Sequence, residues 1–183
     1  SGVMEIKNTG ASAGFSLFNF NNAITYDATN NPGAATISAN WYGTGASGVV
    51  TKNITVGDSS ATTVELDFTG QMGQTAVADG YQTTLVKLGA GAMRISAVNH
   101  FPRLQVDAGS VIVNHANALG SSRSGGYSNL VTVNGGTLDL NGFSNTIGAL
   151  AGTGGGIFTG GAGTSTLSAG GSGADTSYSG SIQ

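Results

Sequence analysis

An all-β chain of many short strands, wound as a solenoid of stacked coils, is the fold that three observations predict. Glycine fills 32 of 183 positions, more than twice its usual share of roughly 7%, and charged residues make up only 8% against a usual ~25%. Apolar and polar residues alternate at period two, as in Val131-Thr132-Val133 and Leu138-Asp139-Leu140, which marks strands and not helices. Apolar positions then recur near every twenty residues: Val86 to Leu104, Met93 to Val111, Val111 to Val131, Leu138 to Ile157, Ile147 to Leu167 and Ile157 to Tyr178 are 18 to 21 apart. Two or three strands per interval is the pattern of a solenoid coil.

Residues 1–50 are the least regular and form one expected unit, an aromatic-rich cap or first coils. Met4 and Ile6 alternate, as do Phe15 and Leu17, while Phe18 and Phe20 take the opposite phase. A strand apolar on both faces is buried on both or lies under a cap. Ile24, Tyr26, Ile37, Trp41 and Tyr42 follow in an Asn/Ala/Gly-rich stretch. They read as core or capping residues, with a sugar-stacking platform at Trp41-Tyr42 as the sharper alternative.

Residues 51–183 are the expected coils. Ile54 and Val56 form a strand, Gly57-Asp58 a turn, and Val64, Leu66 and Phe68 the next strand, with Glu65 and Asp67 on its opposite, outward face. Val86 and Leu88 open the following strand. In Val131 to Leu150 two strand cores flank Gly135-Gly136, and Asn141-Gly142 makes a second corner, because both residues tolerate positive φ. Ile147 and Leu150 start a third apolar segment. Asn53 to Met72 also resembles Ser165 to Gln183, so the chain reads as one long repeat plus the tail of another. Val, Ile and Leu are expected inside, and Thr, Asp, Asn and Ser outside.

Several functions are excluded or disfavoured. The net charge is −3, and the six basic residues, Lys7, Lys52, Lys87, Arg94, Arg103 and Arg123, are scattered, so no patch meets a nucleic-acid backbone. With no cysteine there is neither a disulfide framework nor a thiolate metal site. The chain opens at Ser1 without a charged-then-apolar leader and holds no apolar run near 18 residues. It therefore reads as a piece of a longer protein with no signal peptide and no membrane insertion of its own.

No catalytic set, metal site or cofactor is expected. Glu65 and Asp67, about 7 Å apart along a strand, fit the spacing of a glycosidase pair. A solvated strand face gives the same spacing, and it also discourages edge aggregation. Gly170-Gly171-Ser172-Gly173-Ala174-Asp175 matches the start of a calcium-binding nonapeptide, but it occurs once and Ser177 stands where a large aliphatic residue belongs. It reads as a turn. His100 and His115, the two histidines, sit in no catalytic or metal-binding motif. Trp41, Tyr42, Glu65 and Asp67 remain the candidate binding residues.

The run Gly135 to Leu150, GGTLDLNGFSNTIGAL, resembles the core of the passenger-associated β-strand repeat of autotransporters and other giant bacterial surface proteins. Lys87 to Ser96, Val106 to Gly120 and Thr176 to Gln183 resemble neighbouring pieces of that repeat, in its order. The resemblance runs from about Thr84 onward. It implies a right-handed parallel β-helix and an extracellular or cell-surface location, and implies no common activity. The expectation is a non-catalytic structural or adhesive segment that contacts a glycan or a host or neighbouring cell surface. Two alternatives stand beside it: self-association through open coil ends into a filament or sheath, and a polysaccharide-active enzyme.

Overall fold

The computed structural model describes residues 5–6, 23–30, 32–41, 48–73, 81–100, 103–120, 129–161 and 164–183. These residues are all-β, with sixteen strands and no helix among them. The Phe15 to Phe20 cluster and Tyr42 lie outside the described residues.

Two parallel sheets share the chain alternately. One holds eight strands: β1 (Glu5–Ile6), β3 (Ala35–Ile37), β5 (Leu66–Phe68), β7 (Ala92–Ile95), β9 (Ser110–Val113), β11 (Thr137–Asp139), β14 (Gly156–Phe158) and β16 (Ser181–Ile182), adjacent in that order. The other holds six: β2 (Ala23–Tyr26), β4 (Gly48–Val56), β6 (Tyr81–Leu88), β8 (Arg103–Val106), β10 (Leu130–Val133) and β13 (Ala149–Ala151). A short third pair joins β12 (Asn145–Thr146) to β15 (Leu167–Ser168). The chain thus crosses from sheet to sheet and returns one strand further along each time. Strands of the first fifty residues enter the same two sheets, since β1 pairs β3 and β2 pairs β4.

Registry turns the period-two pattern into columns. Leu85, Leu104, Val131 and Leu150 are successive partners in the six-stranded sheet. Ala35, Leu66, Met93, Val111, Leu138, Ile157 and Ile182 are successive partners in the eight-stranded one. Side chains of a column sit one above another at the ~4.8 Å strand spacing, and their inner members form one continuous buried cluster from Tyr26 to Ile157. The four strands β7 to β10 alternate half-buried and buried residues without exception.

The recurrence near twenty holds only for some circuits. Met93 pairs with Val111 and Leu138 with Ile157, 18 and 19 positions on, as the spacing predicts. Leu66 to Met93 and Val111 to Leu138 advance 27, and Ala35 to Leu66 advances 31. Val111 and Val131 belong to different sheets, so that interval counted across a circuit instead of around it. The echo between Asn53–Met72 and Ser165–Gln183 fails for the same reason. Phe68 lies in the eight-stranded sheet, whereas Tyr178, its supposed equivalent, bridges Gly152 beside the six-stranded one.

Glycine makes the tight crossing from the six-stranded to the eight-stranded sheet. Gly89, Gly109, Gly136 and Gly155 follow one another at this corner, each packed on backbone of the circuit before. A Cβ on Gly89 would sit 2.3 Å from Val56 O, and one on Gly152, where φ is +145°, would sit 1.8 Å from Val133 O. Corner backbones stack too closely for any side chain there. The second expected corner also forms: Asn141 and Gly142 take φ of +47° and +81°.

Candidate functional site

The sharpest departure from the expected pattern is charge inside the coil. Glu65 is 1% exposed and Lys87 0%. Both lie at the corner column, Glu65 just before β5 and Lys87 near the end of β6.

Glu65 was expected on an outward face. Instead its Oε1 accepts the Ser59 N–H at 3.2 Å and its Oε2 the Ala92 N–H at 2.6 Å. The Ser59 hydroxyl in turn donates to Pro32 O at 2.7 Å. The carboxylate thus joins its own circuit to the next and satisfies N–H groups that the strand ladder leaves free, while the Ser59 hydroxyl reaches the circuit before. The misplacement has a simple cause: β5 begins only at Leu66, so Glu65 belongs to the turn and strand alternation does not govern it.

Lys87 lies between Val86 and Leu88, the residues expected to open this strand. Registry puts Leu85 and Lys87 inward, with Lys87 between Ile54 and Val106. Its Nζ donates to Leu88 O, Gly89 O and Ala108 O at 3.0, 2.8 and 3.1 Å, using all three donors on the corners of two circuits. Burial pushes the ammonium down to about 8, and the negative charge of Glu65 partly opposes that shift.

Asp67 was also expected outward and solvated, and it is 9% exposed. Its Oδ2 accepts Arg94 Nε at 3.0 Å and an Arg94 terminal nitrogen at 2.5 Å, while Oδ1 accepts the Ser96 hydroxyl at 2.8 Å. Asp67 and Arg94 are registry partners on adjacent strands, so the pair follows from the stacking. It raises the Arg94 pKa, chiefly through the hydrogen bond to Asp67. Glu65 and Asp67 therefore face different surroundings, one carboxylate within the corner and one in an ion pair, and do not converge on a shared cleft. The polysaccharide-active reading loses its acid pair here.

Trp41 is 1% exposed and packs in the core, with its backbone bridged to Met72. No ring face remains for a sugar, and Tyr42 lies outside the described residues. The Gly170–Asp175 stretch is an exposed turn, in which the Ser172 hydroxyl and the Gly170 N–H both bond Gly148 O. Among the described residues no group of three or more His, Asp or Glu could hold a metal ion, and no helix is long and apolar enough to cross a membrane.

Three buried asparagines, which the sequence reading passed over, add to the internal polar set. Asn99 accepts the Met72 N–H at 2.7 Å and donates to Ala97 O and Ala118 O. Asn129 donates to Leu119 O and Gly120 O and accepts the Gly148 N–H. Asn145 accepts the Leu119 N–H at 3.1 Å and donates to Phe143 O and His115 O. All three sit beside corners, where backbone lacks ladder partners. Aligning Thr84–Leu88 with Arg103–Asp107 and Leu130–Asn134 would have exposed Lys87, because it falls in the column of Val106 and Val133. For the asparagines no comparable signal exists in one sequence.

No family model matches the chain. No solved structure matches it. A curated protein named Adhesin BmaC autotransporter, from Brucella suis biovar 1 (strain 1330), is 40% identical over 95 residues, 51% of this chain. That match spans about 2% of the relative's own length. Over about half its length, the chain is similar to a short stretch of a very long autotransporter adhesin.

Proposed function

We propose that this chain is a segment of a right-handed parallel β-helix that serves as a non-catalytic structural or adhesive part of a bacterial autotransporter, exposed at the cell surface. The observation that carries the reading is the 40% identity to an autotransporter adhesin over 51% of the chain. The alternation of strands β1 to β11 between two parallel sheets supports the winding, and strand-crossover-strand connections are right-handed in ~98% of cases. Buried Glu65 and Lys87, both held by corner backbone, suit a rigid stalk.

The test is presentation. Beads coated with the purified chain are offered to a glycan array and to host-cell monolayers. Saturable binding that free chain competes away is the expected result for an adhesive segment. Binding no stronger than that of an unrelated β-rich protein would restrict the role to a stalk.

End-to-end self-association is the second reading. It draws on the parallel stacking of strands, which a second copy could continue, and on a chain with only 8% charged residues. Sedimentation across a concentration series separates the two: growth with concentration supports assembly, and a constant monomer argues against it.

A further inference from the structure

Two Asn-Gly dipeptides, Asn134-Gly135 and Asn141-Gly142, occupy successive corners of one circuit, and the fold treats them differently. An asparagine side-chain amide followed by glycine is open to attack by the next backbone nitrogen, because glycine has no Cβ to hinder the approach. In a folded chain the attack needs that nitrogen released and the backbone free to bring it to Cγ. Local hydrogen bonding therefore decides which site reacts.

Asn141 is pinned. Its φ is +47° and that of Gly142 +81°. The Asn141 N–H donates to Asp139 Oδ1 at 2.8 Å, and the attacking nitrogen, Gly142 N, is engaged with Thr159 O at 3.1 Å. The Phe143 N–H closes the turn onto Leu140 O at 2.7 Å. The Asn134 N–H is likewise held, on Val106 O at 2.9 Å, and the difference lies in the attacking nitrogen. Gly135 is exposed, and among the described residues no acceptor takes its N–H. The Asn134 side chain donates from Nδ2 to Asp107 Oδ1 at 2.8 Å, beside the Gln105 amide that also bonds this carboxylate.

We propose that Asn134 is a self-modification site, deamidating in the native chain while Asn141 stays protected. The Gly135 nitrogen loses its proton and forms a bond to Asn134 Cγ. The Cγ–Nδ2 bond breaks and ammonia leaves, giving a five-membered succinimide. Water then opens the ring at either carbonyl, to aspartate or isoaspartate, with no redox change and no co-reactant but water. The product replaces a donor to Asp107 with a second carboxylate, so a hydrogen bond becomes a like-charge contact. Isoaspartate also lengthens the backbone at a corner where a Cβ on Gly135 would already lie 2.8 Å from Asp107 O. Deamidation thus weakens the link between two circuits as the protein ages, faster at higher pH because the attacking nitrogen must lose its proton.

The experiment incubates the folded chain at mildly alkaline pH, with a denatured sample in parallel. Peptide mass spectrometry follows the amide-to-acid mass gain at each site. In the folded chain Asn134 is expected to convert at least about tenfold faster than Asn141, and the difference collapses on denaturation. Equal rates in the folded chain, whether both fast or both slow, overturn the proposal. Thermal melts test the consequence. Asn134→Asp should lower the midpoint by a few degrees, and Asp107→Asn in the same chain should recover at least half of that loss. A loss that Asp107→Asn leaves unchanged overturns the electrostatic consequence.

Discussion

Lys87 holds an ammonium group in a column otherwise built of Ile24, Ile54, Val106 and Val133. Because its folded pKa is about 8 against the ordinary 10.5, the folded chain releases this proton before the unfolded chain does. Between those values the unfolded state binds more protons, so stability rises with pH across that window, and below it the cost of the buried charge is fully present. The ceiling is about 3 kcal/mol. A neutral amine keeps only two donors for three carbonyls, so the net rise falls short of that. Lys52, lowered by burial, acts in the same direction, whereas Tyr26, raised by burial, acts oppositely above pH ~10. Urea midpoints at about pH 7.5 and about pH 9.5 should show the rise, and Lys87→Met should flatten it. Removing the buried carboxylate by Glu65→Ala strands two N–H groups and is expected to cost about 3 kcal/mol or more in urea melts. Arg94 is 38% exposed at its side chain, so Arg94→Ala should cost under about 1 kcal/mol in the same assay.

At the scale of elements the corners, more than the strands, carry the sequence constraint. A strand residue needs only to be apolar or polar in the right phase, but a corner must let one backbone rest on another. Gly152→Ala places a Cβ 1.8 Å from Val133 O. It is expected to cost several kcal/mol or to block folding, because backbone has nowhere to move. Gly173→Ala is the matched control. Its φ of +65° is also left-handed, but nothing lies within 4 Å, so only the conformational cost of about 1–2 kcal/mol applies. Thermal melts of the two variants check the contrast. Asn99→Ala strips one acceptor and two donors from a fully buried corner and should cost about 1–3 kcal/mol for each group left unpaired.

For the whole molecule, each strand leans on the strands of the circuits before and after it, so stability propagates along the stack by nearest-neighbour terms. Burial is uneven along that stack. Leu85, Leu104, Val131 and Leu138 are fully buried, while Gly170 to Ser177 are exposed throughout. Hydrogen exchange should therefore find the amides of β7 to β11 slowest and those of Gly170 to Gln183 fast. Uniform protection across both would contradict this gradient. On the proposed adhesive reading, a partner meets only the outer faces and loops.

By itself the sequence determined the all-β class, the inward phase of Leu104, Val106, Val111, Val113, Val131, Val133, Leu138 and Leu140, and the corner at Asn141-Gly142. Those follow from local rules: period two fixes which side a strand residue faces, and positive φ selects Asn and Gly. Tertiary structure alone decided which strands lie side by side, and hence that circuits advance unevenly, from 18 residues between Met93 and Val111 to 33 between Ile54 and Lys87. It also decided that Glu65 and Lys87 point inward, because their partners are turn N–H and carbonyl groups tens of residues away. A polar residue reads as outward until the backbone groups it satisfies are in place. Once the circuits stack, those unpaired corner groups make a buried charge more stable than an aliphatic side chain that would leave them without partners.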